Sequence, residues 1–340
     1  MRVVRPSLSA LPTLVGVLLI LLVGAFIYSY LTLSSSYILL PDHPHALAPL
    51  VDMQGGHATG AGGIYFVDVV ERRATLAERY LSFLNPDGTI VSEQSLAPDN
   101  LNEQQRTRLD RAAMARSKTI AEAVALRSLG YHVVTHPQGT LVEQTAPGSP
   151  AAGKLLPGDL IVAADGQPTL VASRLRRLIE RHRVGQLVRL TLLRNGHKRK
   201  LALRTYSLPS EPHVPLIGIL VTQAATVKLP IKVEINAGNV IGPSAGLAFA
   251  LELADRLGRN VDRGYRVAAT GELALDGTVL PIGGVKQKVI GARRAGIQIM
   301  LLPAGDNAAE ARHYAGHMKI IGVASFQQAL RNLATLPVQR

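Results

Sequence analysis

The 340 residues include no cysteine and no tryptophan, only 4% aromatic side chains, and 24 acidic against 37 basic groups. Without cysteine there is no disulfide, no cysteine nucleophile and no thiolate metal ligand, although the compartment stays open. Without tryptophan and with few other aromatics, the stacking platforms that hold single-stranded nucleic acid are missing. The net charge of +13 and the basic clusters at 174–183 and 194–204 therefore read as a solvated face beside an anionic membrane, and nucleic acid is not expected as a partner.

Charge is also missing from one long stretch. No charged residue occurs between Arg5 and Asp42, and Leu11 to Leu33 is apolar over a length that exceeds the roughly 20 residues a bilayer crossing needs. A cleaved signal peptide has a shorter apolar core and an A-x-A-like site, which AFIYSY does not offer. The expectation is a single transmembrane helix at 11–33 behind a cytoplasmic tail at 1–10, with the bilayer as its partner. Arg2 and Arg5 precede the span, and Tyr28 and Tyr30 sit near its far end. The positive-inside rule then puts the N-terminus in the cytoplasm and the rest outside the cell membrane.

What remains suits roughly two domains, given 47% hydrophobic content. Residues 34–61, rich in Ser, Pro and His, read as a stalk. Residues 62–128 read as a strand and helical connecting region: GGIYFVDVVERR has strand composition, a short helix follows around TLAERYLSFL, and 102–129 is helical with Leu109, Ala113, Ile120 and Val124 at recurring apolar positions.

Residues 129–206 carry strand, turn, strand, helix and hairpin signals, with turns at Asp165-Gly166 and Asn195-Gly196. SPAAGKLLPGDLIVAADG within them resembles the signature of protease-associated bacterial PDZ domains. The resemblance implies a β-rich domain that binds peptides. Leu129, Gly130, Tyr131, His132 and Val133 stand where such domains carry a carboxylate-binding loop and an open strand edge.

Two nearby patterns carry less. Gly148 to Lys154 imitates a phosphate loop, but Leu155 replaces the magnesium-binding hydroxyl and Pro150 lacks a backbone donor, so no nucleotide cofactor is expected. His313 and His317 have the spacing of a zinc pair on a helix, but HYAGH lacks the glutamate of H-E-x-x-H and has no third ligand, so no metal is expected.

From 212 to 337 strands and helices alternate, as in an α/β domain. IKVEINAG reads as a strand, and NVIGPS turns into an all-apolar helix. Ser244 heads that helix, either as a cap or as a nucleophile beside the unpaired N–H groups of a helix start. Gly242 and Ala245 are the supporting residues of the same turn. GPSAG matches the G-x-S-x-G elbow, with Asp306 and His313 in the right order, but the sheet is too small and no HGGG-like loop is present. Lys288 is another base, because a buried lysine can become neutral enough to deprotonate a serine. On a helical wheel Lys288 falls with Val285, Gly291, Ala292 and Ala295 on the inward side, whereas Lys286, Gln287, Arg293 and Arg294 face solvent.

GPSAGLAFALE, TGELALDGTVLPIGGVKQKVIGARRAGI and LLP together resemble the proteolytic domain of Lon-type proteases. The resemblance implies Ser244 as nucleophile, Lys288 as base and Thr270 as the group that orients the lysine. Ile241 stands where Lon proteins usually carry an acidic residue. GGIYFVDVV is similar to the first strand of that domain, which would make the PDZ segment an insertion.

The fold expected is thus an α/β Lon-type proteolytic domain plus a β-rich PDZ domain, preceded by one transmembrane helix, as in the membrane-anchored PDZ/Lon-like proteins of bacteria. The expected function is an ATP-independent extracytoplasmic serine endopeptidase acting on C-terminal tails or unfolded segments of proteins recruited by the PDZ domain. The alternative is a membrane-anchored adaptor with an inactive protease fold. Homo-oligomerisation is left open.

Overall fold

A computed structural model describes residues 11–53, 62–96, 103–209, 211–236, 238, 240 and 242–339. They divide into two compact units, one of residues 11–40 and 69–96, the other of 41–68 and 103–339.

The first unit begins with α1 (Leu11–Leu31), whose span Pro12–Leu31 has a mean hydropathy of 2.5 and no buried part. Twenty residues at about 1.5 Å each match a hydrocarbon core of about 30 Å. The helix stops two residues short of the expected end because Leu33 opens a strand, β1 (Leu33–Pro41). β1 lies between β5 (Val69–Thr75) and β6 (Thr89–Ser92). The expected stalk is corrected here. Ser34, Ser36 and Ile38 alternate inward along β1, so the serines that suggested a loop are small buried residues of a half-buried strand. Residues 54–61 of that expectation lie outside the described residues. α2 (Leu76–Tyr80) starts on a capping box between Thr75 and Glu78, and Arg72 grips Glu78 with two hydrogen bonds of 2.9 and 2.6 Å. That pairing holds the Glu78 carboxyl down at about 2. α3 (Glu93–Leu96) closes the unit.

In the second unit, a five-stranded sheet runs β2 (His45–Ala46), β4 (Gly63–Phe66), β16 (Arg266–Ala269), β19 (Ile299–Pro303), β20 (Lys319–Val323). The last four are parallel. Helices cover both faces, as a parallel sheet requires. Val267, Ala269 and Leu301 pack toward α4 (Glu103–Ser128), α6 (Gly246–Ala254) and α9 (Phe326–Ala334). Ala268, Met300 and Leu302 face the opposite way, toward α7 (Val285–Arg294) and α8 (Asp306–Tyr314). Two ribbons flank this sheet: β3 (Val51–Met53) with β15 (Val233–Ile235), and β17 (Glu272–Leu273) with β18 (Val279–Leu280). GGIYFVDVVERR is not one strand. It breaks at Val67-Asp68 into β4 and β5, which belong to different sheets. β2, β4 and α4 precede residue 129 yet sit in the α/β layer, whose remaining sheet strands follow residue 206.

The β-rich sheet runs β11 (His197–Arg204), β10 (Leu187–Arg194), β8 (Leu160–Ala164), β7 (Val134–Thr145), β14 (Ile219–Lys228), with β9 (Gln167–Pro168) on β8. The hairpins turn at Asp165-Gly166 and Asn195-Gly196, all four with positive φ as a type I′ turn demands. α5 (Ala172–Glu180) packs Leu175, Leu178 and Ile179 beneath the sheet, and β12 (Tyr206–Leu208) pairs with β13 (Glu211–Leu216). The strand that completes this sheet comes from beyond residue 212: β14 pairs with β7 from Ile219 to Lys228.

Candidate active site

α6 begins where a glycine-rich turn meets a fully buried helix. Gly242 holds a positive φ of 96°, and its N–H donates to the Asp110 carbonyl on α4. A Cβ on Gly246 would stand 2.8 Å from Ser117 Oγ, so α4 and α6 meet here only because that residue has no side chain. Ser117 Oγ in turn donates to the Pro243 carbonyl at 2.8 Å. These contacts fix the half-buried Ser244 between Pro243 and the buried Ala245.

No side chain caps α6, so Ser244 does not act as its cap. Its hydroxyl instead accepts a 3.0 Å hydrogen bond from Lys288 Nζ. Lys288 is only 5% exposed, on a helix that ends its own approach with Gly284 in the left-handed region. Burial pushes its ammonium down to about 8, while the Asp68 charge works the other way. Thr270, fully buried at the end of β16, accepts a longer 3.4 Å contact from Lys288 Nζ and donates to the Ser244 carbonyl at 3.2 Å. The Gly271 N–H reaches the same carbonyl at 2.7 Å. Ser244, Thr270 and Lys288 thus converge from a turn, a strand end and a helix. Gly242 and Ala245 shape the turn.

The wheel for α7 needs one correction. Arg293 and Arg294 are exposed, but Gln287 is buried, and Lys286 is half-buried with its amine 5.9 Å from the Tyr314 ring. α8 packs on α7, and the Asp42 backbone lies against Gly291, so the helix is covered over a wider arc than its sequence suggested.

Asp68 was not among the expected site residues. It sits in the break after β4, and its carboxyl is raised by burial, with His45 opposing and Asp42 adding to the shift. His45 stacks on Phe66 at 4.9 Å and sets Nε2 3.4 Å from Asp68 Oδ1, an ion-pair distance without hydrogen-bond alignment. Polar atoms of Asp42, His45 and Asp68 lie within 4.8 Å of one another, close enough to share a cation. The stacked ring and the ion pair account for the grouping as an electrostatic cluster behind Lys288. The acid ending an apolar run in YFVD was its only signal. Ser117 had a better one: it shares a helix face with the buried Met114, Ala121 and Val124.

A second carboxyl lies nearby. Glu272 is pushed up to about 7 by burial, with the Glu143 charge adding to the shift and Arg116 countering it. Arg116 on α4 pairs with Glu143 on β7 at 3.3 Å. Beside that pair a cleft of about 130 Å³ runs between α4 and β7 as far as Pro243.

The peptide-binding loop is corrected. Gly130 adopts a φ of 88° and ends α4 in a Schellman cap: its N–H donates to Arg127 and that of Tyr131 to Leu126. Both amides are therefore spent on the helix, not held open for a carboxylate. Leu129, Tyr131, His132 and Val133 also precede the strand, which begins at Val134 and is paired with β14 along one edge. The phosphate-loop look-alike is likewise spent, with Ser149 Oγ on the Gly218 carbonyl and the Ala151 N–H on that of Ile217. α8 ends at Tyr314, so His313 and His317 are not neighbours on one helix, and both are exposed, as is Asp306.

Residues 219–334 match the family described as the Lon protease (S16) C-terminal proteolytic domain, and residues 127–205 match the PDZ domain family. Lon protease 1 of Sorangium cellulosum is 52% identical over 80 residues, 23% of this chain and 10% of that protein. The Lon protease of Clostridium beijerinckii is 38% identical over 117 residues, 32% of this chain and 14% of that protein. The chain thus spans only a small part of the curated relatives it matches. Among solved structures, the PDZ domain of an SdrC-like protein from Listeria innocua is 27% identical, covering 25% of this chain and 93% of that one with a TM-score of 0.23.

Proposed function

We propose, for a chain that carries a Lon-type serine-protease domain and a PDZ domain, that it is a membrane-anchored serine endopeptidase working through Ser244 and Lys288. The observation that carries this reading is the 3.0 Å contact between Lys288 Nζ and Ser244 Oγ in a site that lowers the lysine to about 8. A fraction of Lys288 is then neutral near pH 7 and can take the serine proton as Oγ attacks a peptide carbonyl. The protonated lysine returns that proton to the departing amine, leaving an acyl-enzyme on Ser244. Water, deprotonated by the same amine, hydrolyses it. Free backbone N–H groups at a helix start would serve the oxyanion that develops beside Ser244. Thr270 holds the lysine and the Ser244 backbone in register.

The substrates of this reading are already extended polypeptides. The phosphate-loop-like turn at 148–154 is tied to the Ile217 and Gly218 carbonyls, and hydrolysis is proposed to proceed without ATP. The cleft between α4 and β7 supports a route from the PDZ sheet to the nucleophile. The PDZ domain would also interrupt the proteolytic domain, as supported by β4 and α4 preceding it. With Arg2 and Arg5 before the span, the catalytic part is proposed to lie outside the cytoplasm.

The test is digestion of a labelled unfolded protein by the purified full chain in nanodiscs, with and without ATP. Cleavage that ATP does not change and that Ser244→Ala removes supports the enzyme. Cleavage by neither form leaves the adaptor reading. For orientation, protease added to intact cells should degrade the region beyond α1, and its survival would reverse the topology.

A further inference from the structure

Two aromatic side chains in the first unit face solvent with little cover: Tyr80 is 73% exposed and Phe83 72%. Neither is buried in the unit, and Tyr80 is the last residue of α2. The Leu76 N–H donates to the Thr32 carbonyl at 2.9 Å, tying the start of α2 to the residue after α1, and α2 packs against that helix. Five helical residues advance only about 7 Å, comparable with the roughly 6 Å of headgroup region on each side of a bilayer. Tyr28 and Tyr30, also exposed, lie in the last turn of α1.

Arg72 is engaged by Glu78, but Arg73 and Arg79 are exposed. Arg79 lies 5.6 Å from the Tyr80 ring and donates to Ser35 Oγ, while Arg73 lies 5.8 Å over Tyr37. Each guanidinium is thus held next to an aromatic ring. Aromatic rings that are apolar in body and polar at the tip, with arginines beside them, match the boundary between acyl chains and phosphates.

We infer that the unit of residues 33–40 and 69–96 rests on the bilayer surface, with Tyr80 and Phe83 set into the headgroup layer and Arg73 and Arg79 on lipid phosphates. This rests on the reading of α1 as a membrane span. The surface is then a second foothold for this unit beside the single helix.

The absence of tryptophan makes the test direct, because any tryptophan introduced is the only one. Tyr80→Trp, Phe83→Trp, Leu22→Trp in α1 and His317→Trp on the exposed surface of the other unit are each placed in the full chain. The variants go into nanodiscs of phosphatidylcholine with phosphatidylglycerol, brominated either near the headgroup or deep in the acyl chain. The inference expects Tyr80→Trp and Phe83→Trp to be quenched several-fold by shallow bromines, with emission shifted to the blue of His317→Trp. Leu22→Trp should be quenched most by deep bromines. If Leu22→Trp is quenched while Tyr80→Trp and Phe83→Trp are not, the span stands and the surface contact is overturned. If none is quenched, the span itself is wrong. Blue-shifted emission at Tyr80→Trp that bromine leaves untouched also overturns the inference, because protein then covers the patch. In a second arm, Arg73→Ala with Arg79→Ala in the Tyr80→Trp background should weaken shallow quenching more when phosphatidylglycerol is present than in phosphatidylcholine alone. Equal quenching in both lipids removes the phosphate contact.

Discussion

Lys288 Nζ stands 3.0 Å from Ser244 Oγ across 44 positions of sequence, inside a site where the lysine is almost wholly buried. Its fall from 10.5 to about 8 corresponds to roughly 3 kcal/mol at about 1.36 kcal/mol per unit. That cost is borne by the folded state.

Lys288→Met should therefore have opposite effects on activity and stability. Peptide hydrolysis should fall by roughly a thousandfold or more. The melting temperature near pH 7 should rise, since methionine keeps the stem and removes the buried charge. Lys286→Met, at a half-buried position beside Tyr314, should retain most activity. Peptide assays and calorimetry on both variants check this, and an essential Lys286 would reassign the base.

The pH profile follows from the same group. Hydrolysis should climb as Lys288 deprotonates through about pH 8. For stability, the unfolded chain keeps this proton up to its ordinary 10.5 while the folded chain has released it by about 8. Stability from Lys288 is thus poorest below pH 8 and recovers as pH rises toward 10.5. Asp68→Asn removes a charge that favours the ammonium form, so the activity limb should move to lower pH. An unmoved limb would show that Asp68 does not act on Lys288.

Ser117→Ala should loosen the nucleophile without touching it. The change leaves the Pro243 carbonyl without its 2.8 Å donor from a buried hydroxyl, at a cost of about 1–3 kcal/mol in stability. The expected kinetic signature is a lower kcat with KM nearly unchanged. A variant that is destabilised but fully active would limit Ser117 to packing.

Gly130→Ala separates a helix cap from a peptide site. The position has open space around a Cβ but a φ of 88°, so alanine should cost about 1 kcal/mol through backbone strain alone. Chemical denaturation should register that loss, while affinity for a peptide ending in a free carboxylate should not change. A large loss of affinity would return Gly130 to the binding loop.

The turn at Ser244 and the helix that carries Lys288 were legible because each lies in a short local pattern, GPSAG and GGVKQK, whose residue types serve one turn or one helix start. The type I′ hairpins were equally local, since Asp-Gly and Asn-Gly state the backbone geometry outright. What escaped was set by partners far along the chain. β1 looked like a stalk because the burial of Ser34 and Ser36 depends on β5 and β6, and one apolar run became β4 and β5 because two sheets claim its halves. Gly130 suggested a nest for a ligand, but the same positive φ also ends a helix. Gln287 is buried, and α7 packs against α8, which no wheel of α7 alone contains.

The parallel pairing of β4 with β16 joins residues about two hundred positions apart, with the whole β-rich sheet between them. Long-range pairing of this kind forms slowly, because the intervening loop must close before the contact is rewarded. A chain emerging from its N-terminus presents Asp68 early, Ser244 much later and Lys288 later still. The β-rich sheet can form as a local unit meanwhile, drawing the two ends of its segment together through β7 and β14. On the proposed reading, the order of synthesis acts as a timer on assembly, because Ser244 has no lysine beside it until the segment through Lys288 has been made.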